Sequence, residues 1–281
     1  MPFQLNEREH ALGSRGRGAS FGVLMESDYS TVTERPGTHA SREQLAMLYT
    51  RYYTASTFCE GKGVLEVGCG AGSGLGYLSR KAKKVIGGDC TERLIRLAQE
   101  HNKGSVGLLR LDAHSLPFRD NQFDVVILFE VIYYLARPDI FLDECQRVLR
   151  GNGTLLMCTA NKDWYGFNES PFSVRYLSAP ELFALLRQHH FNAELFGAFP
   201  AAPKTAKDKI IAALRRMAIT LHLIPTTMEG REILKRLFYG KLLLLPGEIC
   251  DGEAGACPLV PIAADSPNSQ YKVLYAVAHP Q

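Results

Sequence analysis

The chain has 281 residues, 46% of them hydrophobic and 22% charged, with a formal net charge of +3, enough for one large core or a domain with an insertion. The near-neutral balance excludes a globally basic nucleic-acid binder, and no zinc-like cysteine pair or RNA-recognition signature supports one. The seven cysteines are scattered without a pairing pattern, so reduced thiols are expected, with no metal site. No apolar run is long enough to span a bilayer and the N-terminus lacks a signal-peptide core, so a cytoplasmic protein is expected.

Residues 1–20, with Gly13-Ser14-Arg15-Gly16-Arg17-Gly18, read as a flexible tail. Residues 21–60 form an N-terminal helical cap, whose helix runs within 41–58 with Ser41 as its cap and Glu43 in its first turn. That helix either closes over a site as a lid or packs its tyrosines on the sheet. A short apolar strand then carries Glu66 and opens into Gly68-Cys69-Gly70-Ala71-Gly72. A dinucleotide fingerprint needs a third glycine at position 73 or 75, and the chain has Ser73 and Leu75 there, so both registers fail. A carboxylate inside an apolar strand needs donors, which loop amides or a ligand ammonium supply to Glu66. Cys69 reads as a small packing residue.

A second strand over 84–89 ends in Asp89, 21 residues after Gly68, the strand–helix–strand spacing at which a carboxylate meets a ribose. Asp89 also reads as a cap for a helix from Thr91 onward. Two further blocks follow: residues 107–113, ending in Asp112-Ala113, and Phe123-Asp124-Val125-Val126-Ile127-Leu128-Phe129-Glu130.

Together these blocks, from 64 to 135, resemble the class I S-adenosylmethionine-dependent methyltransferases. The resemblance implies S-adenosyl-L-methionine as cofactor and S-adenosyl-L-homocysteine as product. It places the cofactor on Glu66, Gly68, Cys69, Gly70 and Gly72, with Asp89 and Cys90 at the ribose. Asp112 and Ala113 would read the adenine edge, although Asp112 also fits a solvated turn and His114 a satisfied polar side chain. Glu130, at the end of the strand that carries the substrate-facing end, is counted with the cofactor-binding residues, and Arg51 and Tyr52 would enclose the carboxylate end of the cofactor.

Within 131–135, Tyr134 stands where many relatives carry a histidine and is the catalytic candidate. Its ordinary pKa near ~10 suits it to positioning a hydroxyl rather than taking its proton. Tyr133, Asn161, Arg175 and His39 are candidate substrate contacts. A helix is expected over 139–149, a turn at Gly151-Asn152-Gly153, a strand over 154–158, a helix over 179–187 and strands over 191–196 and 271–278. This alternation gives an α/β protein with a mostly parallel sheet. The resemblance makes it a Rossmann-like, seven-stranded sheet with an antiparallel last strand, its core at 61–199 and its closing strand within 268–281.

Residues 200–267 read as a helical insertion acting as a substrate cap. Between 204 and 241 nine Lys or Arg face three acids. Either an anionic partner, such as a nucleotide- or lipid-linked acceptor or a membrane surface contacted peripherally, or a solvated helical face accounts for that excess. The loop Asn168-Glu169-Ser170-Pro171-Phe172-Ser173 is similar to the Asn-Pro-Phe-His-type loop of bacterial polysaccharide and glycan methyltransferases, with Ser173 in the histidine position. The segments Ile224-Pro225-Thr226-Thr227-Met228 and Phe238-Tyr239-Gly240-Lys241 are similar to the same group. The expectation is a methyltransferase acting on a small molecule, first by O-methylation of a saccharide or glycolipid precursor. C- or N-methylation of a quinone- or polyketide-like metabolite is the alternative, and a cofactor-binding protein without transferase activity is the alternative of another class. The glycine spacing argues against an NAD-dependent dehydrogenase.

Overall fold

The computed structural model describes residues 28–202, 217 and 242–281. The expected tail, the basic cluster, and the segments 224–228 and 238–241 lie outside these residues.

Chain order begins with a 3-10 turn at Tyr29–Thr31, strand β1 (His39–Ala40) and helix α1 (Arg42–Ser56). Ser41 caps α1 in a reciprocal box with Gln44, its hydroxyl accepting from the Gln44 amide while the Gln44 side chain accepts from the Ser41 amide, satisfying two otherwise orphaned donors. Then come β2 (Gly63–Val67), α2 (Leu75–Ser79), β3 (Lys84–Asp89), α3 (Glu92–Asn102), β4 (Gly107–Arg110) and β5 (Phe123–Phe129). A 3-10 turn at Ile132–Tyr134, α4 (Pro138–Val148), β6 (Leu149–Ala160), α5 (Ala179–Gln188), β7 (Phe191–Pro200), β8 (Leu243–Leu244), β9 (Val260–Pro261) and β10 (Tyr271–Pro280) complete the described elements.

The main sheet has the order β4-β3-β2-β5-β6-β10-β7-β9. Neighbours from β4 to β6 are parallel, while β10 runs antiparallel between β6 and β7. These are the seven expected strands, and the two-residue β9 adds an antiparallel eighth at the edge of β7. All five residues of β2 are buried, as covering a parallel strand on both faces requires. Alternate strand residues feed two apolar layers. Leu128, Leu155 and Leu274 pack with Phe141 and Leu182 from α4 and α5, whereas Ile127, Leu156 and Tyr275 pack with Leu48, Tyr52 and Leu78 from α1 and α2. Each fully buried leucine or phenylalanine here contributes roughly 1.5–3 kcal/mol of burial.

One expectation is corrected. Gly151-Asn152-Gly153 is not a turn ahead of a strand, because β6 already pairs at Leu149 with Phe123 and resumes at Thr154 with Val125. The extra residues bulge out and leave 150–152 exposed. Within 242–267 the described elements are β8 and β9, while the helices expected in the insertion lie outside the described residues. This segment binds α1 to α2: the Tyr49 and Tyr77 hydroxyls donate to Asp251 Oδ1 at 2.8 and 2.7 Å, and the Cys257 amide donates to Thr50 Oγ1 at 2.9 Å. β8 pairs antiparallel with β1.

The chain leaves β2 toward β3 and β4, then returns to place β5 on the other side of β2. Such a reversal opens a crevice beyond the carboxyl ends of the strands, where open α/β sheets bind ligands.

Candidate active site at the sheet switch point

A cavity of about 690 Å³ occupies this crevice. Gly68 and Gly70 line one end of it with φ of +75° and +55°, a region that favours glycine. A Cβ on Gly68 would stand 2.3 Å from Val131, and one on Gly70 would stand 2.8 Å from Thr33. Side chains thus close on both sides of a bare backbone.

Asp89 lies in the cavity wall and is 7% exposed. Its Oδ2 accepts from the Gly70 amide at 3.0 Å and its Oδ1 from the Thr91 amide at 2.8 Å. The carboxylate thus fixes both the glycine loop and the start of α3. Burial pushes the Asp89 carboxyl up from its ordinary range, and the bonds from Thr91 and Gly70 counter this. Each oxygen keeps acceptor capacity, since a carboxylate offers about four lone-pair sites. That donor-free pair suits a vicinal diol, and the bare glycine backbone leaves room for the chain attached to it. Cys69, Cys90, Asp112 and Ala113 line the same end. Asp112 Oδ1 accepts from the His114 amide and faces His114 Nδ1 at 2.7 Å, so His114 is a satisfied polar side chain, as read.

At the other end the wall is aromatic and aliphatic, with Tyr29, Met47, Leu135, Trp164, Phe167 and Val273. Glu130, at φ +57°, faces this space half-buried. Its Oε2 accepts from the Tyr133 hydroxyl at 2.9 Å and its Oε1 from the Cys158 thiol at 3.5 Å. The Tyr133 ring is held by stacking on Tyr176 at 4.2 Å. The Tyr134 hydroxyl shares a 2.6 Å hydrogen bond with Ser170 Oγ, and its ring lies 5.1 Å from Tyr29. Burial pushes the Tyr134 phenol up from its ordinary value.

Among the described residues, both Lys and Arg side chains on this wall are paired. Arg51, 8% exposed, donates to Glu34 at 2.6 Å, and Lys272 donates to Glu43 at 2.6 Å while lying 5.5 Å over the Trp164 ring. Tyr52 lines the cavity and donates its hydroxyl to Glu66 Oε1 at 2.8 Å. The α1 helix therefore packs on the sheet and also covers the site.

Five expected site residues lie outside the cavity wall. Glu66 sits behind Tyr52 because its strand side chain points to the α1 layer. Gly72 seats α3, its carbonyl accepting from Asn102 Nδ2 at 3.3 Å. Asn161 is fully buried and its amide donates to the carbonyls of Asn268 and Tyr271 at 2.5 and 2.8 Å. Arg175 extends to solvent and pairs with Glu181 at 2.9 Å. His39 is likewise absent from the wall. Tyr29, Glu34, Trp164, Lys272 and Tyr275 line the cavity without having been read from the sequence. The only available signal was Trp164, the single tryptophan of the chain, placed just beyond a strand end. Among the described residues no group of three or more His, Cys, Asp or Glu could hold a metal ion, and no helix is long and apolar enough to cross a membrane.

Residues 65–157 match the family described as "Methyltransferase domain". A probable S-adenosylmethionine-dependent methyltransferase of Mycolicibacterium smegmatis is 35% identical over 140 residues, 48% of this chain and 54% of that protein. A fatty-acid O-methyltransferase of the same organism is 40% identical over 104 residues, 36% of this chain and 38% of that protein. The chain thus spans about half the length, or less, of these curated relatives. The crystal structure of a possible histamine N-methyltransferase from Thermotoga maritima superposes with a TM-score of 0.54 at 17% identity, covering 85% of this chain and 92% of that one, which shows the shared fold. Residues 65–157, from β2 into β6, are thus similar to a methyltransferase domain, on a fold shared with an S-adenosylmethionine-dependent methyltransferase.

Proposed function

We propose that the protein transfers the methyl group of S-adenosylmethionine to an oxygen of a small acceptor with a substantial apolar part, a saccharide or glycolipid precursor being the first kind to test. The observation that carries this reading is one continuous cavity with two unlike ends. One end offers a bare glycine backbone and the Asp89 carboxylate; the other is an aromatic and aliphatic chamber. A relative named for fatty acids supports an acceptor with apolar character.

The residues present fit the cofactor. Asp89 would take the ribose hydroxyls, Asp112 and Ala113 the adenine edge, and Gly68 and Gly70 the backbone approach, while Arg51 and Tyr52 would close the methionine end. When bound, the cofactor supplies an electrophilic methyl group on a sulfonium. The protein's part is to orient the acceptor behind that methyl and keep the chamber dry, which accounts for much of the acceleration of such displacements. Tyr134 with Ser170 would position the acceptor hydroxyl rather than deprotonate it, because burial holds its phenol above its ordinary value.

The test is release of S-adenosylhomocysteine by purified protein supplied with S-adenosylmethionine and amphiphilic alcohols, n-octyl glucoside first. Turnover with alcohols supports O-transfer, turnover confined to phenolic rings or amines moves the reading to carbon or nitrogen, and binding without turnover across the panel makes the protein a cofactor-binding one.

A further inference from the structure

The acceptor chamber carries a charge pattern that selects among apolar acceptors. Its two cations are each matched at close range, Arg51 by Glu34 and Lys272 by Glu43, both at 2.6 Å. Glu130 makes no ion pair at contact distance among the described residues; the Arg51 charge reaches it but is shared with Glu34. Glu130 receives two neutral donors, the Tyr133 hydroxyl and the Cys158 thiol, and keeps acceptor sites facing the cavity. Tyr275, 3% exposed, lines the same cavity, and its hydroxyl, beside the Cys158 thiol, makes no hydrogen bond of normal geometry. A buried hydroxyl left unpaired costs free energy that a ligand can relieve.

We infer that Glu130 and Tyr275 form an acceptor subsite for an uncharged alcohol, with Glu130 accepting the hydrogen of the reacting hydroxyl, and that the subsite excludes carboxylate and phosphate groups. This rests on the methyltransferase reading above and narrows its acceptor. An alcohol needs an acceptor for its proton, and a carboxylate nucleophile needs none. Like charges brought together in a poorly solvated chamber repel strongly, and no unmatched cation on the described wall offsets that. In the transfer, the alcohol oxygen forms the new C–O bond with the methyl carbon as the S–C bond breaks, leaving its electron pair on sulfur in S-adenosylhomocysteine. The hydroxyl proton passes to Glu130 and then to water. The predicted acceptor therefore differs from that of the relative named for fatty acids.

Trp164 reports on the chamber directly, since it is the single tryptophan and lines the wall. Its fluorescence is followed while protein saturated with S-adenosylhomocysteine is titrated with 1-decanol and with decanoate, near pH 8 where decanoate is ionised. The expected result is saturable binding of 1-decanol and decanoate weaker by about tenfold or more, with the gap shrinking below about threefold in Glu130→Gln. Glu43→Gln, which releases Lys272, is expected to strengthen decanoate binding and leave 1-decanol unchanged, and it gives a second measure should Glu130→Gln not fold. Decanoate binding as tightly as 1-decanol, a gap unchanged in Glu130→Gln, or no binding of either probe to the loaded protein overturns the subsite. Failure of S-adenosylhomocysteine itself to bind overturns the methyltransferase reading instead.

Discussion

Glu66 gives the sharpest quantitative test of the site's electrostatics. It is 1% exposed, with Oε1 accepting from Tyr52 and Oε2 buried without a partner. Burial pushes its pKa up from 4.5 to about 7; the Tyr52 hydrogen bond and Arg51 oppose the rise, and Asp89 adds to it. The folded protein therefore holds this proton more tightly than the unfolded chain. The stability that follows is fully present below about pH 4.5 and is lost as pH rises through about 7. At 1.36 kcal/mol per unit, that span amounts to about 3 kcal/mol. Glu66→Gln keeps an acceptor for the Tyr52 hydroxyl and removes the charge. Urea unfolding of the ligand-free protein is expected to show Glu66→Gln more stable than the parent by about 3 kcal/mol near pH 8, and within about 1 kcal/mol of it near pH 5. Other titrating groups cancel in the difference unless they couple to Glu66, as Asp89 does weakly. A difference that is the same at both pH values would refute the account of a strained, half-satisfied carboxylate.

Further outcomes follow from the same contacts. Asp89→Ala is expected to weaken S-adenosylhomocysteine binding by about 1.5–3 kcal/mol, the range for charge-assisted bonds, as read by calorimetry; unaltered affinity would remove Asp89 from the cofactor site. Asn161→Ala should cost about 1–3 kcal/mol in a denaturant titration, because two half-buried carbonyls lose the donor that the buried Asn161 amide supplies, while leaving cofactor affinity unchanged. A large fall in affinity there would return Asn161 to the site. Gly68→Ala should abolish binding, its new methyl meeting Val131 at 2.3 Å in a left-handed backbone. Tyr134→Phe should bind S-adenosylhomocysteine normally and turn over more slowly with any alcohol acceptor; equal turnover would leave Tyr134 without a role.

The glycine-loop end of the site was legible because it is local. Strand, glycine loop and strand-end acid follow one another within 64–89, and spacing alone placed Asp89 in the wall. Whether Asp89 capped a helix or faced a ligand was undecidable from spacing, and the fold uses one carboxylate for the Gly70 and Thr91 amides alike. The acceptor end was illegible because it is assembled across the chain. Lys272 and Tyr275 reach it only because β10 inserts between β6 and β7, and Glu34 and Glu43 come from the opposite end. Asn161 shows the reverse error. A polar residue at a strand end resembles a substrate contact, yet its amide ties the approach to β10. Period and turn residues likewise could not show that Gly151-Asn152-Gly153 is absorbed as a bulge in a longer strand.

The most direct measurement of the central claim is calorimetric titration of the full chain with S-adenosylhomocysteine and, separately, with NAD. Saturable binding of S-adenosylhomocysteine alone is the predicted result. Binding of NAD, or of neither ligand by folded protein, would contradict the assignment of this cavity to the methyl donor.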